Sequence, residues 1–535
     1  MKFLLALILL VGMVPTLAIG VELQPVPGVI HLESQAAGSP LSFEEVVERA
    51  RKAGMRIVIF NDKYTNRVEY GLPPLRNLLK KSEERGAISS YGTARYLREI
   101  NDLGRRYPEM LILPGAEVGA FYYWKGSVWA FARNVLSREG LRRLLSPGKG
   151  DAEKIEKYDF RQSQVERGLK VVNFHKDMLV IGLEQVDDYL DLPMVSNRKP
   201  RVVSWLGLLN LWPLPLLVFA FIRLFSHRPA PYPYVLAAQP GGVPLVPDRS
   251  LTGIRRASKF SLLLIVISLL FLAGNFPFFY PKFDQYHGDQ NSAPYQELID
   301  YVNDRGGLIF WSSPDISTGV FRAGPMLMET RPYSHELLDT RNYTGFAVFA
   351  EGMKTSGIPG GIWDQVLVEY VNGRRERPVW AIGELDYEEG DWMGETQTVF
   401  MLRDFNRNDM LAALRKGRIY AVTGPPNIPR PVLKQFQIWD EKEQRWAEMG
   451  ETATVRAPTK IKIELVVPPG ATARDLRLIR EGKVVWNMEV AGSFSEIIEL
   501  DYQREAGMTY YRLDLDSRLV ANPVFCRFPT GISVM

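Results

Sequence analysis

The stretch from Gly28 to Asp62, GVIHLESQAAGSPLSFEEVVERARKAGMRIVIFND, constrains the fold most, because it reads as strand, loop, capped helix and strand. Ser42 and Glu45 form an S-x-x-E capping box, and Phe43, Val46, Val47, Ala50 and Ala53 recur at helical spacing, so this helix buries one face. Gly54 ends it, and RIVIF (Arg56 to Phe60) is a short β-rich run of the kind buried in a parallel sheet. The first strand ends in His31 and Glu33 and the second in Asp62. Metal-capable side chains at the carboxyl ends of consecutive strands are what a β/α barrel places around its mouth.

The pattern repeats. Met110 to Val118 is a third strand with Glu117 at its end, after a polar helical region from Pro74 to about Tyr107. Phe121 to Trp129 (FYYWKGSVW) is aromatic, and such clusters are more often core than ligand-stacking surface. Asp151 to Lys170 is a charged connection, Met178 to Leu183 another strand, and His175 just before it a weaker ligand candidate. The alternation resumes with a helix from Tyr295 to Arg305 and strands at Gly307 to Ser312, Phe346 to Ala350 and Val379 to Gly383, with helices at Trp363 to Val371 and Asn408 to Lys416. Roughly seven strand and helix pairs is the arithmetic of one barrel. Beyond a linker at PPNIPRP, short β-patterned runs from Phe436 to Phe528 predict an all-β sandwich over 431–535.

Two apolar runs, Val202 to Phe221 and Phe260 to Tyr280, carry no charged side chain, and each has about the 20 residues that span a bilayer. The segment between them is basic, so a transmembrane hairpin over 201–281 with a cytoplasmic loop at 226–259 is expected. Residues 1–20 read as a signal peptide or N-terminal anchor. The barrel, 21–200 and 282–424, and the sandwich are then expected on the extracytoplasmic side of a membrane. A net charge of +4 over 535 residues gives no reason to expect nucleic acid as a partner. The single cysteine, Cys526, excludes an internal disulfide and any multi-cysteine zinc site.

In order and spacing, five pieces resemble the polymerase and histidinol phosphatase (PHP) family. IHLES stands for its HxHS opening, RIVIFNDK for its Thr-Asp-His-like strand, LPGAEV for its glycine-glutamate strand, IFWSSP for its His-Pro strand and IGELDYE for its late G-x-S-D-x-H motif. KGRIYAVTG and a sandwich ending in YYRLDLDSRLVANPVF resemble the tail of envelope-associated members. The resemblance implies a distorted seven-stranded, TIM-like barrel whose mouth holds divalent metals and hydrolyses phosphoesters. Residue by residue it keeps His31, Asp62, Glu117 and Asp386, puts glutamate for histidine at Glu33 and Glu388, and loses ligands at Lys63 and Ser313. An ammonium at a ligand position repels a cation, and a Lys63 paired with Asp62 or Glu117 would be a structural substitute for a metal.

The ligand set is therefore His31, Glu33, Asp62, Glu117, Asp386 and Glu388, with His175 behind them. Its carboxylate oxygens favour Mn, Mg or Ca over Zn, if any metal is held at all. Two functional readings stand. One is a membrane-anchored, extracytoplasmic phosphoesterase acting on a phosphorylated envelope or nucleotide compound. The other is a PHP pseudoenzyme that binds a phosphorylated small molecule, a glycan or an envelope protein.

Overall fold

The computed structural model describes residues 23–72, 75–126, 169–197, 209–225, 252–276, 282–323, 326–349, 351–387, 389–469, 475–502, 504 and 506–529. The expected signal or anchor segment, and most of the charged connection and of the loop at 226–259, lie outside them.

Strands β1 (Gln24–Leu32) and β2 (Ile57–Phe60) are parallel, with Gly28 opposite Ile57. A Cβ on Gly28 would lie 2.8 Å from both Ile57 Cβ and Phe400 Cε2, so only glycine lets β1 approach its neighbours this closely. Helix α1 (Phe43–Lys52) joins the two strands and carries the expected capping box. Ser42 Oγ accepts from the Glu45 N–H at 3.3 Å, and Glu45 Oε2 accepts from the Ser42 N–H at 2.8 Å. Phe43, Val46, Val47 and Ala50 form its buried face. The region expected to be helical from Pro74 begins instead with a hairpin of Arg67–Gly71 and Lys80–Glu84, and its long helix is Thr93–Arg106.

The sheet grows outward through β3 (Leu111–Val118), β4 (Met178–Ile181), β5 (Leu308–Trp311), β6 (Gly345–Phe349) and β7 (Trp380–Gly383), in that spatial order. β4 is antiparallel to both neighbours and the other pairs are parallel. Every residue of β2, β4, β5, β6 and β7 is buried, as their near-continuous apolar runs predict.

The closed barrel expected from the sequence does not form; the sheet is a curled half-barrel. β1 has both edges taken, by β2 on one side and by antiparallel β8 (Thr396–Leu402) on the other, so β7 finds no free backbone edge there. Side chains span the gap instead. Thr398 Oγ1 accepts from the Gly383 N–H at 2.9 Å and donates to the Gly383 carbonyl at 2.8 Å. Asn522 accepts from the Ala381 N–H at 2.8 Å and donates to the carbonyls of Ala381 (3.0 Å) and Ile419 (2.9 Å). A hydroxyl and an amide thus stand in for ladder partners along the edge of β7 that β6 does not cover.

The strands expected as a C-terminal sandwich lie in two layers, and one of these continues the main sheet. From β8 the same sheet continues through β9 (Ile419–Thr423) into Leu519–Ala521, Gly507–Leu515, Asp475–Arg480 and Lys483–Glu489. A second layer of Arg445–Ala447, Val432–Asp440, Thr459–Val466 and Phe494–Leu500 covers this end. Phe436, Ile461 and Ile463 pack in one core with Leu478, Leu513 and Tyr420, so the strands beyond the linker share their interior with β8 and β9.

Among the described residues no helix is long and apolar enough to cross a membrane, which overturns the transmembrane hairpin and the membrane localisation built on it. Helix α2 (Pro213–Phe225) has 13 residues, about 20 Å at 1.5 Å each, and hydrocarbon is roughly 30 Å thick. Helix α3 (Thr252–Asn275) spends its first turns on Arg255, Arg256 and Lys259, leaving roughly 24 Å from Phe260. The two helices pack together through Trp212 and Phe271, 5.1 Å between ring centroids. Elsewhere, Arg512 donates to both carboxylate oxygens of Asp364 at 2.7 and 2.6 Å, pinning α4 (Ile362–Val371) to the strand Gly507–Leu515.

Replacing Asn522 by alanine strands three buried backbone groups, and the expected loss is about 2–4 kcal/mol in urea denaturation. A loss below about 0.5 kcal/mol, the ordinary scatter of surface changes, would show that the seam is not held this way.

Candidate metal centre

The seam places the candidate site. As the chain leaves β7, Leu385 N–H donates to the Ile30 carbonyl at 2.9 Å and Tyr387 N–H to the His31 carbonyl at 3.1 Å. The exits of the first and last strands therefore meet. Three residues here hold positive φ without being glycine: His31 (67°), Ser313 (36°) and Asp386 (48°). Such backbone is uncommon outside glycine and concentrates at functional sites.

His31 Nδ1 lies 2.5 Å from Glu384 Oε1, and its Nε2 lies 3.4 Å from Glu117 Oε2. Glu384 is buried and itself held by Ser312 Oγ (2.5 Å), the Ser313 N–H (3.1 Å) and Ser313 Oγ (3.3 Å). Ser313, one of the lost ligand positions, thus anchors the carboxylate that orients the histidine. A carboxylate on Nδ1 turns Nε2 toward whatever the other side holds. His31 Nε2 and Glu117 Oε2 are both buried, and neither has a hydrogen-bond partner among the described residues. With a carboxylate oxygen of Glu33 they form a group whose three ligand atoms lie within 4.8 Å of one another. One imidazole and two carboxylates, with two donor atoms left unsatisfied in the interior, fit a divalent cation.

The other expected ligands go elsewhere. Asp62 is committed to the loop after β1, accepting from Ser34 N–H (2.6 Å), Ser34 Oγ (3.0 Å) and Ala37 N–H (3.2 Å). Asp386 sits at the rim, its side chain 58% exposed and 3.6 Å from His31 Nδ1. Glu388 lies outside the described residues. His175 is half-buried against Phe174 and Phe321, and burial pushes its pKa down to about 4. It stands apart from the group of three. Phe121, Tyr122 and Trp124 are buried rather than presented to a ligand.

Lys63 lies inside the mouth, its Nζ 3.1 Å from Glu117 Oε1 and 3.2 Å from Asp177 Oδ2. Burial works against its charge, but Asp177 and Glu117 hold its pKa above the ordinary value. Burial would likewise raise the Glu117 carboxyl, yet Lys63 and His31 hold it well below the carboxylate range. His31 is penalised by burial but raised well above its usual value by Asp386 and Glu117. Glu33 is left over: burial and the Glu117 charge push it up to about 7.

Asp177 and Glu384 were not singled out from the sequence. Glu384 lies in IGELDYE just after β7, the same strand-exit position that marked Glu117, and Asp177 directly precedes the apolar run MLVIGL. The cavity lined by Lys63, Glu117, Gly119, Phe121 and Asp177 measures about 10 Å³, room for one water. A cavity of about 430 Å³ lies away from this mouth, bordered by Pro25, Met55, Trp392, Tyr420 and Arg430.

No family model matches this sequence, and no curated protein matches it. Among solved structures the chain is similar to a two-domain protein from Bacteroides vulgatus containing a predicted PHP-like metal-dependent phosphoesterase. The identity is 9% over 94% of this chain and 95% of that one, with a TM-score of 0.33. It is also similar to fibronectin(III)-like modules of Clostridium thermocellum CbhA, at 10% identity over 15% of this chain and 87% of that one, with a TM-score of 0.11.

The Glu33 shift sets a pH-dependent cost. Because its folded pKa is raised, the folded chain keeps a proton that the unfolded chain gives up, and that stability is lost as pH rises from about 4.5 through about 7. Glu33→Gln in metal-free protein is expected to match wild type near pH 4.5 and to exceed it by about 1–3 kcal/mol above pH 7.5. Denaturation curves at both pH values check this, and equal stability at high pH would overturn it.

Proposed function

We propose that the mouth of the curled sheet is a binding site for one divalent cation, held by His31, Glu33 and Glu117, in a PHP-like protein that recognises a phosphate-bearing ligand without efficient hydrolysis. The observation that carries this reading is the pair of facing, buried atoms His31 Nε2 and Glu117 Oε2, an ion pair 3.4 Å apart in which neither atom has a hydrogen-bond partner among the described residues, with Glu33 in reach. Among the described residues carboxylates outnumber fixed cations around them: Glu33, Glu117, Asp177, Glu384 and Asp386 face His31 and Lys63. Manganese or magnesium suits this donor set. A bound divalent cation would supply Lewis-acid polarisation of a phosphoryl oxygen and a more acidic water.

Two features argue for binding over turnover. Lys63 already takes one oxygen of Glu117, and its ammonium stands where a further cation would be needed to clamp a phosphoryl group from the other side. Glu384 has a positioning role, keeping Nδ1 occupied so that Nε2 stays aimed at the cation. A second reading, slow phosphoester hydrolysis, is favoured by one observation: Asp386 is solvent-facing at the rim, 3.6 Å from His31, where a carboxylate can take a proton from water.

Isothermal titration and elemental analysis with manganese test the proposal. Wild type is expected to bind one equivalent; His31→Ala and Glu117→Gln should abolish binding, and Glu384→Gln should weaken it about 10–100-fold. Absence of divalent binding in wild type would overturn the reading. Turnover of a model phosphodiester that is lost in Asp386→Asn would replace it with the hydrolase.

A further inference from the structure

Lys63 lies three residues past the end of β2, and its ammonium lies between two carboxylates: Glu117 of β3 at 3.1 Å and Asp177, just before β4, at 3.2 Å. The backbone keeps it there. Lys63 forms an isolated parallel bridge with Glu117, Tyr64 N–H donates to the Glu117 carbonyl at 2.8 Å, and Ile88 N–H donates to the Lys63 carbonyl at 2.9 Å. The Lys63 side chain is 15% exposed and its carboxylate partners 6% and 7%, so little water screens the three charges. Gly119 completes the enclosure, since a Cβ there would lie 2.8 Å from Asp177 Oδ1. The cavity of about 10 Å³ borders Lys63, Glu117 and Asp177 together.

Two carboxylate oxygens converging on one point about 3 Å from each, inside the protein, describe a cation position. We propose that Lys63 is a tethered cation that fills a second site, between Glu117 Oε1 and Asp177 Oδ2, and so fixes the number of free divalent cations at one. Glu117 bridges the two positions, giving Oε1 to Lys63 and leaving Oε2 toward His31. The tether holds this position permanently, whatever cations the solution contains. Cutting the side chain back vacates it, leaves Glu117 and Asp177 facing each other without a counter-charge, and adds the volume of the lost methylenes and ammonium to the neighbouring cavity. A divalent cation from solution then fits where Nζ stood.

This inference rests on the single-cation reading for its count, and the test separates the two. Manganese stoichiometry is measured by titration and elemental analysis for wild type, Lys63→Ala and Lys63→Arg, with melting temperature recorded with and without manganese and with ethylammonium. The expected result is one equivalent in wild type and Lys63→Arg and two in Lys63→Ala. Lys63→Ala should also melt several degrees lower than wild type without added cation and recover with manganese or with ethylammonium, the missing fragment of the side chain.

If wild type and Lys63→Ala both bind one manganese, and the variant's melting responds no more than wild type's, Lys63 does not stand in for a cation although the single-cation reading survives. If wild type binds none and Lys63→Ala binds one, that reading fails and Lys63 is still the surrogate. If neither binds, both fail. Should Lys63→Ala not fold alone, expression of Lys63→Ser with and without manganese decides: soluble protein only with the metal supports the inference, and insolubility under both conditions overturns it.

Discussion

β7 pairs with β6 along one edge and finds no backbone partner along the other, and the rest of the site depends on how that free edge is resolved. β1 is flanked on both sides, so the sheet curls until its seventh strand faces strands already paired. Thr398 and Asn522 satisfy the middle of β7, and the residues after it bond to Ile30 and His31. That last contact brings Glu384 to His31 Nδ1. A fully laddered seam would have kept the exit of β7 in regular strand; the irregular seam allows Asp386 its positive φ and sets a buried carboxylate behind the histidine. Architecture and candidate chemistry have one cause.

The second constraint is charge. Interiors tolerate a carboxylate only when it is paired or hydrogen-bonded. Glu384 meets the condition with two serines and a histidine, Asp62 with the loop after β1, and Asp177 with Lys63. Glu117 is half satisfied, one oxygen on Lys63 and the other without a partner among the described residues. Glu33 is the least satisfied, which is why its pKa rises. A chain selected only for stability would carry glutamine or an apolar residue there, since neither incurs the penalty. A poorly compensated carboxylate beside a histidine nitrogen that has no hydrogen-bond partner among the described residues makes sense when a mobile cation completes the set.

Much of this was legible in the sequence. The capping box, the apolar strands and the strand-exit positions of His31, Glu33 and Glu117 follow from local rules that a single chain displays. Lys63 was readable as an internal cation, because an ammonium beside strand-exit carboxylates has few other stable arrangements. The missing information was non-local. Nothing near Asp62 announces that Ser34 and Ala37 turn back to claim it. Closure of the sheet was counted from strand number, but closure depends on which edge each strand finds free, and β8 takes the edge of β1 that a barrel would need. The C-terminal strands read as a separate sandwich because the linker PPNIPRP is a strong local break, and hydrogen bonds from β9 to Leu519–Ala521 cross it in space.

The helix pair shows the same limit from the other side. Apolar runs at 202–221 and 260–280 were read as spans on length and missing charge, yet the helices begin and end by their own rules. α2 starts at Pro213, where a missing N–H costs nothing, and α3 opens with basic residues that shorten its apolar length. Their packing is local: Trp212 on Phe271, and Asn275 Nδ2 donating to the Asn210 carbonyl at 2.8 Å where the pair enters and leaves. Asn77 of the 67–84 hairpin region donates to the Phe276 carbonyl at 3.2 Å, and the hydroxyl of Tyr286, just after the pair, accepts from the Gly71 N–H at 2.8 Å. The two insertions into the sheet therefore brace each other beside the barrel mouth, and Tyr122 and Trp124 carry that brace back to β3 by bonding Glu69 N–H and the Glu69 carbonyl. Buried charges held at fixed distances need walls that do not shift, and this hydrogen-bonded collar supplies them.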